Sequence, residues 1–307
     1  MRFLLSLFGM LSVTCALADS PNLAFKSAGD GLFEFDTGVF RGRLKADGKY
    51  QGVYPLIDAA TGADLTPPPG VFSPYRVFTT NRRFGNGARD WPTQPRLLDN
   101  GGVQVYWPAT EHPLEMTAVY RWTAPDTLDL DVTVKPQQAM PAFELFMSSY
   151  FAKGFRASVY LQGDGGKSAG FVPVDRPADS QGGYVMFPRD QAAKRLILDG
   201  RWTIPPSPVD WALPRHLALP LALRRDAAQD LTALMMCPPG DCFAVSCPWN
   251  PDSPEAGGYR SLYQSLFGRD LASGETARAR CRLILRRQLS NEDALCSYGE
   301  YTAKPVE

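Results

Sequence analysis

Between Thr276 and Leu283 the chain alternates without a break: Thr276, Arg278, Arg280 and Arg282 are polar, and Ala277, Ala279, Cys281 and Leu283 are apolar. A repeat of two residues sends successive side chains to opposite faces of an extended strand, so one face is packed and the other is wet. That pattern belongs to antiparallel sheet half-buried in a large β protein. The segment Leu128–Val134 repeats it, with Leu128, Leu130, Val132 and Val134 on one side and Asp129, Asp131 and Thr133 on the other.

Most other ordered segments also read as strands. Gly31–Leu44, Tyr50–Ile57, Arg76–Thr80, Val103–Trp107, Glu115–Trp122, Thr127–Lys135 and Phe143–Phe151 are rich in aromatic and β-branched residues and are separated by Gly, Pro, Asn or Asp. Arg195–Leu198, Leu217–Leu223, Leu231–Met236 and Phe243–Cys247 continue the series. Only the end reads as helix, from a cap at Ser290 with Glu292 and Asp293 in the first turn towards Tyr301. Pro205-Pro206-Ser207-Pro208 is a stiff connector that crosses a sheet edge. With no internal repeat or long linker, residues 19–307 form one domain of packed antiparallel sheets.

Residues 1–18 read as an export signal, with Arg2 at the charged end, Phe3–Val13 as the apolar middle and Ala16-Leu17-Ala18 before the cut. The expected location is therefore secreted or periplasmic. The apolar run is too short to span a bilayer and no later segment is apolar enough. Lys plus Arg and Asp plus Glu each number 32, so nothing points to nucleic acid as a partner. Of 6 cysteines, Cys15 lies in the leader. In an oxidising compartment Cys237 and Cys242, either side of a four-residue loop, are expected to close a hairpin as a disulfide. No histidine lies near them to make a metal site, and no cofactor fingerprint is present.

Several short pieces resemble the galactose-mutarotase-like β-supersandwich superfamily, which includes aldose epimerases and domains of polysaccharide lyases. They are Val39-Phe40-Arg41-Gly42 with Tyr50-Gln51-Gly52-Val53 and Asp58…Thr61-Gly62, then Asn81-Arg82-Arg83, Ser148-Ser149-Tyr150-Phe151, and Gly268…Leu271…Gly274-Glu275-Thr276. The resemblance implies an all-β fold, a large antiparallel β-supersandwich with a short C-terminal helix, and a saccharide as ligand. It also implies Arg83 as a donor to sugar hydroxyls and Tyr150 as a pocket wall. A serine stands where the epimerases carry a catalytic histidine, so ordinary aldose 1-epimerase activity is not expected.

The densest polar segment is the loop Asn81–Trp91, with Arg82, Arg83, Arg89, Asp90 and Trp91. Guanidinium groups bind carboxylates or vicinal hydroxyls, and an indole face suits the C–H side of a pyranose. Arg83, Arg89 and Trp91 are therefore candidate substrate contacts, with Trp249 and Arg260 as a second wall and Trp211 as a further loop tryptophan. Of 2 histidines, His112 sits beside Glu111 in a loop, so His112 with Asp90 or Glu111 is the candidate acid–base group. His216, at the edge of an apolar run, reads as structural. Three functions stay open: an exported carbohydrate-processing enzyme acting on an oligosaccharide or uronide, a non-catalytic glycan-binding module, and a structural envelope protein.

Overall fold

The computed structural model describes residues 22–174, 183–250 and 259–303. The leader expected over residues 1–18 lies outside them. The first four strands are β1 (Lys26–Gly29), β2 (Leu32–Asp36), β3 (Phe40–Lys45) and β4 (Gly52–Asp58). Next come β5 (Ser73–Thr79), β6 (Arg82–Arg83), β7 (Gln94–Leu97), β8 (Val103–Trp107), β9 (Leu114–Ala124), β10 (Thr127–Pro136), β11 (Met140–Phe151), β12 (Arg156–Leu161), β13 (Gly170–Pro173) and β14 (Met186–Pro188). After the helix α1 (Gln191–Ile197) follow β15 (Leu217–Asp226), β16 (Leu231–Met236), β17 (Cys242–Ser246), β18 (Trp249–Asn250), β19 (Tyr259–Leu271), β20 (Ala277–Arg287) and α2 (Asn291–Ala303).

These strands make three antiparallel sheets. One has four strands in the order β1-β2-β3-β4, and one has nine in the order β13-β12-β15-β16-β20-β10-β9-β8-β7. The third runs β14-β17-β19-β11-β5-β6, with β18 paired to β19. The alternation read from the sequence sets how the two larger sheets meet. Leu128, Leu130, Val132 and Val134 of β10 and Ala277, Ala279, Cys281 and Leu283 of β20 are buried in the same core as Val77 of β5, Leu145 and Met147 of β11 and Leu262 and Leu266 of β19. Phe33, Phe35, Phe40 and Leu44 bring the four-stranded sheet into that core.

On the opposite face of β10 and β20, Asp129 pairs with Arg282 at 2.6 Å and Asp131 with Arg278 at 2.9 Å. Such partly exposed pairs contribute about 0–1 kcal/mol each, against roughly 1.5–3 kcal/mol for a fully buried aliphatic side chain, so the apolar face governs the packing. Part of the same outer surface is covered by α2, which buries Ala294, Tyr298 and Tyr301 against Leu221, Leu223, Leu234, Met236 and Ile284. Its start is reciprocal: the Asp293 amide donates to Ser290 Oγ at 3.0 Å, and the Ser290 amide donates to the Asp293 carboxylate at 3.0 Å.

Two expectations change. Arg195–Leu198 is not a strand: its first three residues end α1, whose Ala193 amide donates to Asp190 Oδ1 at 2.8 Å. The side-chain cap and the Ala-Ala pair outweigh the short apolar run. Cys237 and Cys242 are free thiols and do not close a hairpin. The strand before the loop, β16, belongs to the nine-stranded sheet and the strand after it, β17, to the other, so residues 238–241 cross from sheet to sheet. The sulfur of Cys237 instead lies 3.4 Å from that of Cys281 on β20. Burial, with Cys242 and Cys281 beside it, pushes the Cys237 thiol well above the usual range.

Among the described residues Cys296 is exposed while Cys237, Cys242, Cys247 and Cys281 are buried. Thiol titration of the native protein is expected to find Cys296 reacting fast and the other four only on denaturation. A peptide map of the native protein showing a Cys237–Cys242 bridge would contradict the buried free thiols.

Candidate functional site

The seven-stranded sheet is packed on both faces. Opposite the inter-sheet core, Phe78, Phe146, Met186 and Tyr263 of the sheet meet a second apolar layer made by Ala193, Ile197, Trp202 and Trp211. The chain from 191 to 213 thus roofs this face of the sheet. What fixes the roof is Arg201, whose side chain is fully buried. Its Nη1 donates to Glu144 Oε2 on β11 at 2.9 Å, its Nη2 to the Ala142 carbonyl at 3.0 Å, and Nε and Nη2 to the Asp199 carboxylate at 3.0 and 2.8 Å. Burial pushes the Glu144 carboxyl above its ordinary range, and Arg201 pulls it back only in part.

Beside this anchor, sheet and roof enclose a cavity of about 540 Å³. Rings dominate its walls: Tyr75, Phe146, Tyr150, Tyr184, Trp202, Trp211 and Tyr263. They brace one another edge to face, with centroids 5.2 Å apart for Trp202 and Trp211 and 4.7 Å for Phe146 and Tyr263. The Tyr263 hydroxyl donates to that of Tyr150 at 2.9 Å. The polar part of the lining is Arg76, Arg89, Ser207 and Asp210.

A β-bulge explains why Tyr75 and Arg76 both reach the cavity although they are adjacent on a strand. Phe146 pairs with Arg76 but Met147 pairs with Pro74, so Tyr75 is the extra residue. The bulge breaks the alternation that would have sent the two side chains to opposite faces. Burial alone would raise the Tyr75 phenol, yet the charges of Arg76, Arg89 and Arg83 bring it below its ordinary value.

The loop Asn81–Trp91 divides between cavity and packing. Arg89 lines the cavity, with its guanidinium carbon 4.2 Å from the Tyr75 ring centre and 5.2 Å from that of Tyr50. Arg83 does not present free donors: Nε donates to the Gly85 carbonyl at 3.1 Å, and the two Nη atoms donate to the carbonyls of Asn86 and Pro206. It ties the 205–208 connector to β6. Burial, then the charge of Arg76, pushes its own pKa down to about 10.

Trp91 is 9% exposed and its ring lies 4.0 Å from that of His112, so its face is not an open platform. Gly85 beside it has φ +61°, and a Cβ there would sit 3.1 Å from the indole nitrogen. The other side of His112 meets Phe84 at 6.0 Å, and burial lowers its pKa more than Glu111 raises it. Asp90 accepts the Tyr50 amide at 2.9 Å, and Glu111 is exposed. None of His112, Asp90 or Glu111 lines the cavity. Tyr150 lies in the lining. Arg260 is buried on β19 opposite Phe151 and Trp249 and is not in the lining, and the side chain of Trp249 lies outside the described part of the structure.

Sequence reasoning missed Tyr75, Arg76, Trp202, Tyr263 and Asp210. Only the loop position of Trp211 and the proline-rich 205–208 connector signalled the roof. A second hollow of about 360 Å³ on the four-stranded sheet is bordered by Lys26, Glu34, Asp36, Arg41 and Arg43. There Lys26 stands opposite Glu34, Glu34 opposite Arg43 and Asp36 opposite Arg41, a ladder of alternating charge on a wet strand face.

No family model matches the chain, and no curated protein matches it. Solved structures do. A TPR-domain containing protein from Parabacteroides distasonis matches 90% of this chain and 49% of its own, at 9% identity and a TM-score of 0.54. A putative aldose 1-epimerase from Escherichia coli matches 83% of this chain and 99% of its own, at 12% identity and a TM-score of 0.47. A galactose mutarotase-like protein from Clostridium acetobutylicum matches 87% and 99%, at 11% identity and a TM-score of 0.48. At these identities the likeness concerns the fold alone, an all-β arrangement of packed antiparallel sheets.

The Arg201 anchor generates a stability prediction. Arg201→Ala leaves Glu144 buried without its cation and is expected to cost about 3–5 kcal/mol in denaturant unfolding. Replacing both, Arg201→Met with Glu144→Leu, is expected to recover most of that loss. A cost below about 1 kcal/mol for Arg201→Ala, the level of a surface pair, would contradict the anchor.

Proposed function

We propose that the protein is exported and binds a saccharide in the cavity between the seven-stranded sheet and the 191–213 roof. The observation that carries this reading is the pairing of ring faces with unused donors. Trp202 and Trp211 are 3% and 7% exposed, and neither indole N–H has a hydrogen-bond partner among the described residues. A buried donor without an acceptor is costly, and a ligand that brings both apolar faces and oxygen atoms relieves that cost. Sugars carry C–H faces and hydroxyls on one ring. The volume also falls among small-molecule sites, which run about 300–1,000 Å³.

The reading is one of recognition. Ring faces and donors are what the lining provides, while His112, Asp90 and Glu111 hold packing and loop positions outside it. Arg89, Tyr150 and Trp211 are the proposed contacts, and Arg83 holds the roof. The leader-like pattern of residues 1–18, a charged end, an apolar middle and a small-residue close, supports a location where free glycans are met.

Calorimetry of the mature protein against a panel of neutral and acidic oligosaccharides tests the reading. Trp211→Ala is expected to weaken the binding found by roughly 0.5–1.5 kcal/mol, the scale of one aromatic contact. Trp91→Phe, which keeps the packing on His112, is expected to leave affinity unchanged. The opposite result, affinity lost with Trp91→Phe and kept with Trp211→Ala, would move the site to the 81–91 loop.

A further inference from the structure

Arg76 is 3% exposed, yet of its nitrogens only Nη2 has an acceptor, the Ser207 carbonyl at 2.8 Å. Its Nε and Nη1 are buried in the cavity lining without a partner among the described residues. The same holds for Nε and Nη1 of Arg89. The two guanidiniums stand over one ring, 5.0 and 4.2 Å from the Tyr75 centre, and Arg76 is also 5.0 Å from the Trp202 ring. These aromatic contacts stabilise the flat faces of the cations. They leave the N–H edges unsatisfied.

Charge is unbalanced in the same place. Among the described lining residues Asp210 is the one carboxylate, and it is exposed at the rim. Glu144, the buried acid of this sheet face, is committed to Arg201. A third cation, Arg83, adjoins the roof, and the crowding is felt within the group, since the charge of Arg76 helps hold the Arg83 pKa down. A neutral sugar would give the four unpaired nitrogens acceptors but no counter-charge. A ligand anion gives both, in a site where low dielectric strengthens the interaction.

Resting on the saccharide reading above, we propose that the ligand is an acidic sugar whose carboxylate or sulfate ester is received between Arg76 and Arg89, with its ring against Trp202, Trp211 and Tyr263. The anionic group is the chemistry the site selects. The aromatic rings accept the rest of the ring without demanding one stereochemistry.

The test is calorimetry at fixed ionic strength with matched trisaccharides of the gluco, galacto and manno series in three forms: neutral, uronate and sulfated. The anionic forms are expected to bind about tenfold or more tightly than their neutral counterparts, the scale of charged hydrogen bonds. Arg89→Gln is expected to remove most of that preference while changing neutral binding far less. Arg76→Gln should do the same. Because that residue is buried, its fold is checked by circular dichroism and Arg76→Lys, which keeps the charge, is measured beside it; the lysine variant should retain part of the preference. Preference for uronates or for sulfated sugars names which anion is used, and either supports the proposal. Neutral and anionic sugars binding alike, with the ratio untouched by Arg89→Gln, overturns the acidic ligand while leaving the saccharide reading intact. No binding in any arm overturns both.

Discussion

The structure depends on a sheet that must be covered twice. β5, β11 and β19 bury apolar residues on both faces, towards the nine-stranded sheet through Val77, Leu145 and Leu262 and towards the roof through Phe78, Phe146 and Tyr263. The first cover follows from sheet packing. The second is a single run of chain with little regular structure, and the Arg201–Glu144 pair, desolvated on both sides, holds it in register with β11. Such a pair adds little net stability compared with apolar replacements, but it tolerates only one placement of its partners. The cavity is the space that placement leaves between roof and sheet.

Much of the fold is legible in the sequence because burial there has a period. Leu128–Val134 and Ala277–Leu283 alternate, and the structure pairs those two strands directly, with Val132 opposite Ala279 and Asp129 opposite Arg282. The final helix is legible for a different reason, the reciprocal contacts of Ser290 and Asp293. Where the period fails, so does the reading. Strand β11 is buried on nearly every residue and carries no alternation to show which side faces the roof. The short helix α1 offers only about two turns of pattern, and the apolar residues at its end read locally as strand.

The site was less legible than the fold because it is assembled by tertiary structure. Arg89 drew attention by residue type and Tyr150 through the resemblance, and both line the cavity. Arg76 lies in a strand that reads as ordinary core, and a bulge that no sequence pattern marks turns it and Tyr75 to the same side. Trp91 looked like a platform because it is a loop tryptophan, but the loop folds back over it and His112 takes its face. Cys237 and Cys242 flank a crossing between sheets and stay neighbours there with Cys281, as free thiols, so spacing alone did not give their state. In each case the deciding fact is which sheet face an atom reaches.

Hydrogen exchange of the protein, with and without the tightest saccharide in the panel, tests the central claim most directly, because it reports where a ligand orders the backbone. The account predicts slowed exchange confined to residues 72–79, 88–90, 146–150 and 199–213, the sheet and roof segments that meet at the cavity. Protection centred instead on residues 26–58, the four-stranded sheet with its charged hollow, would contradict it.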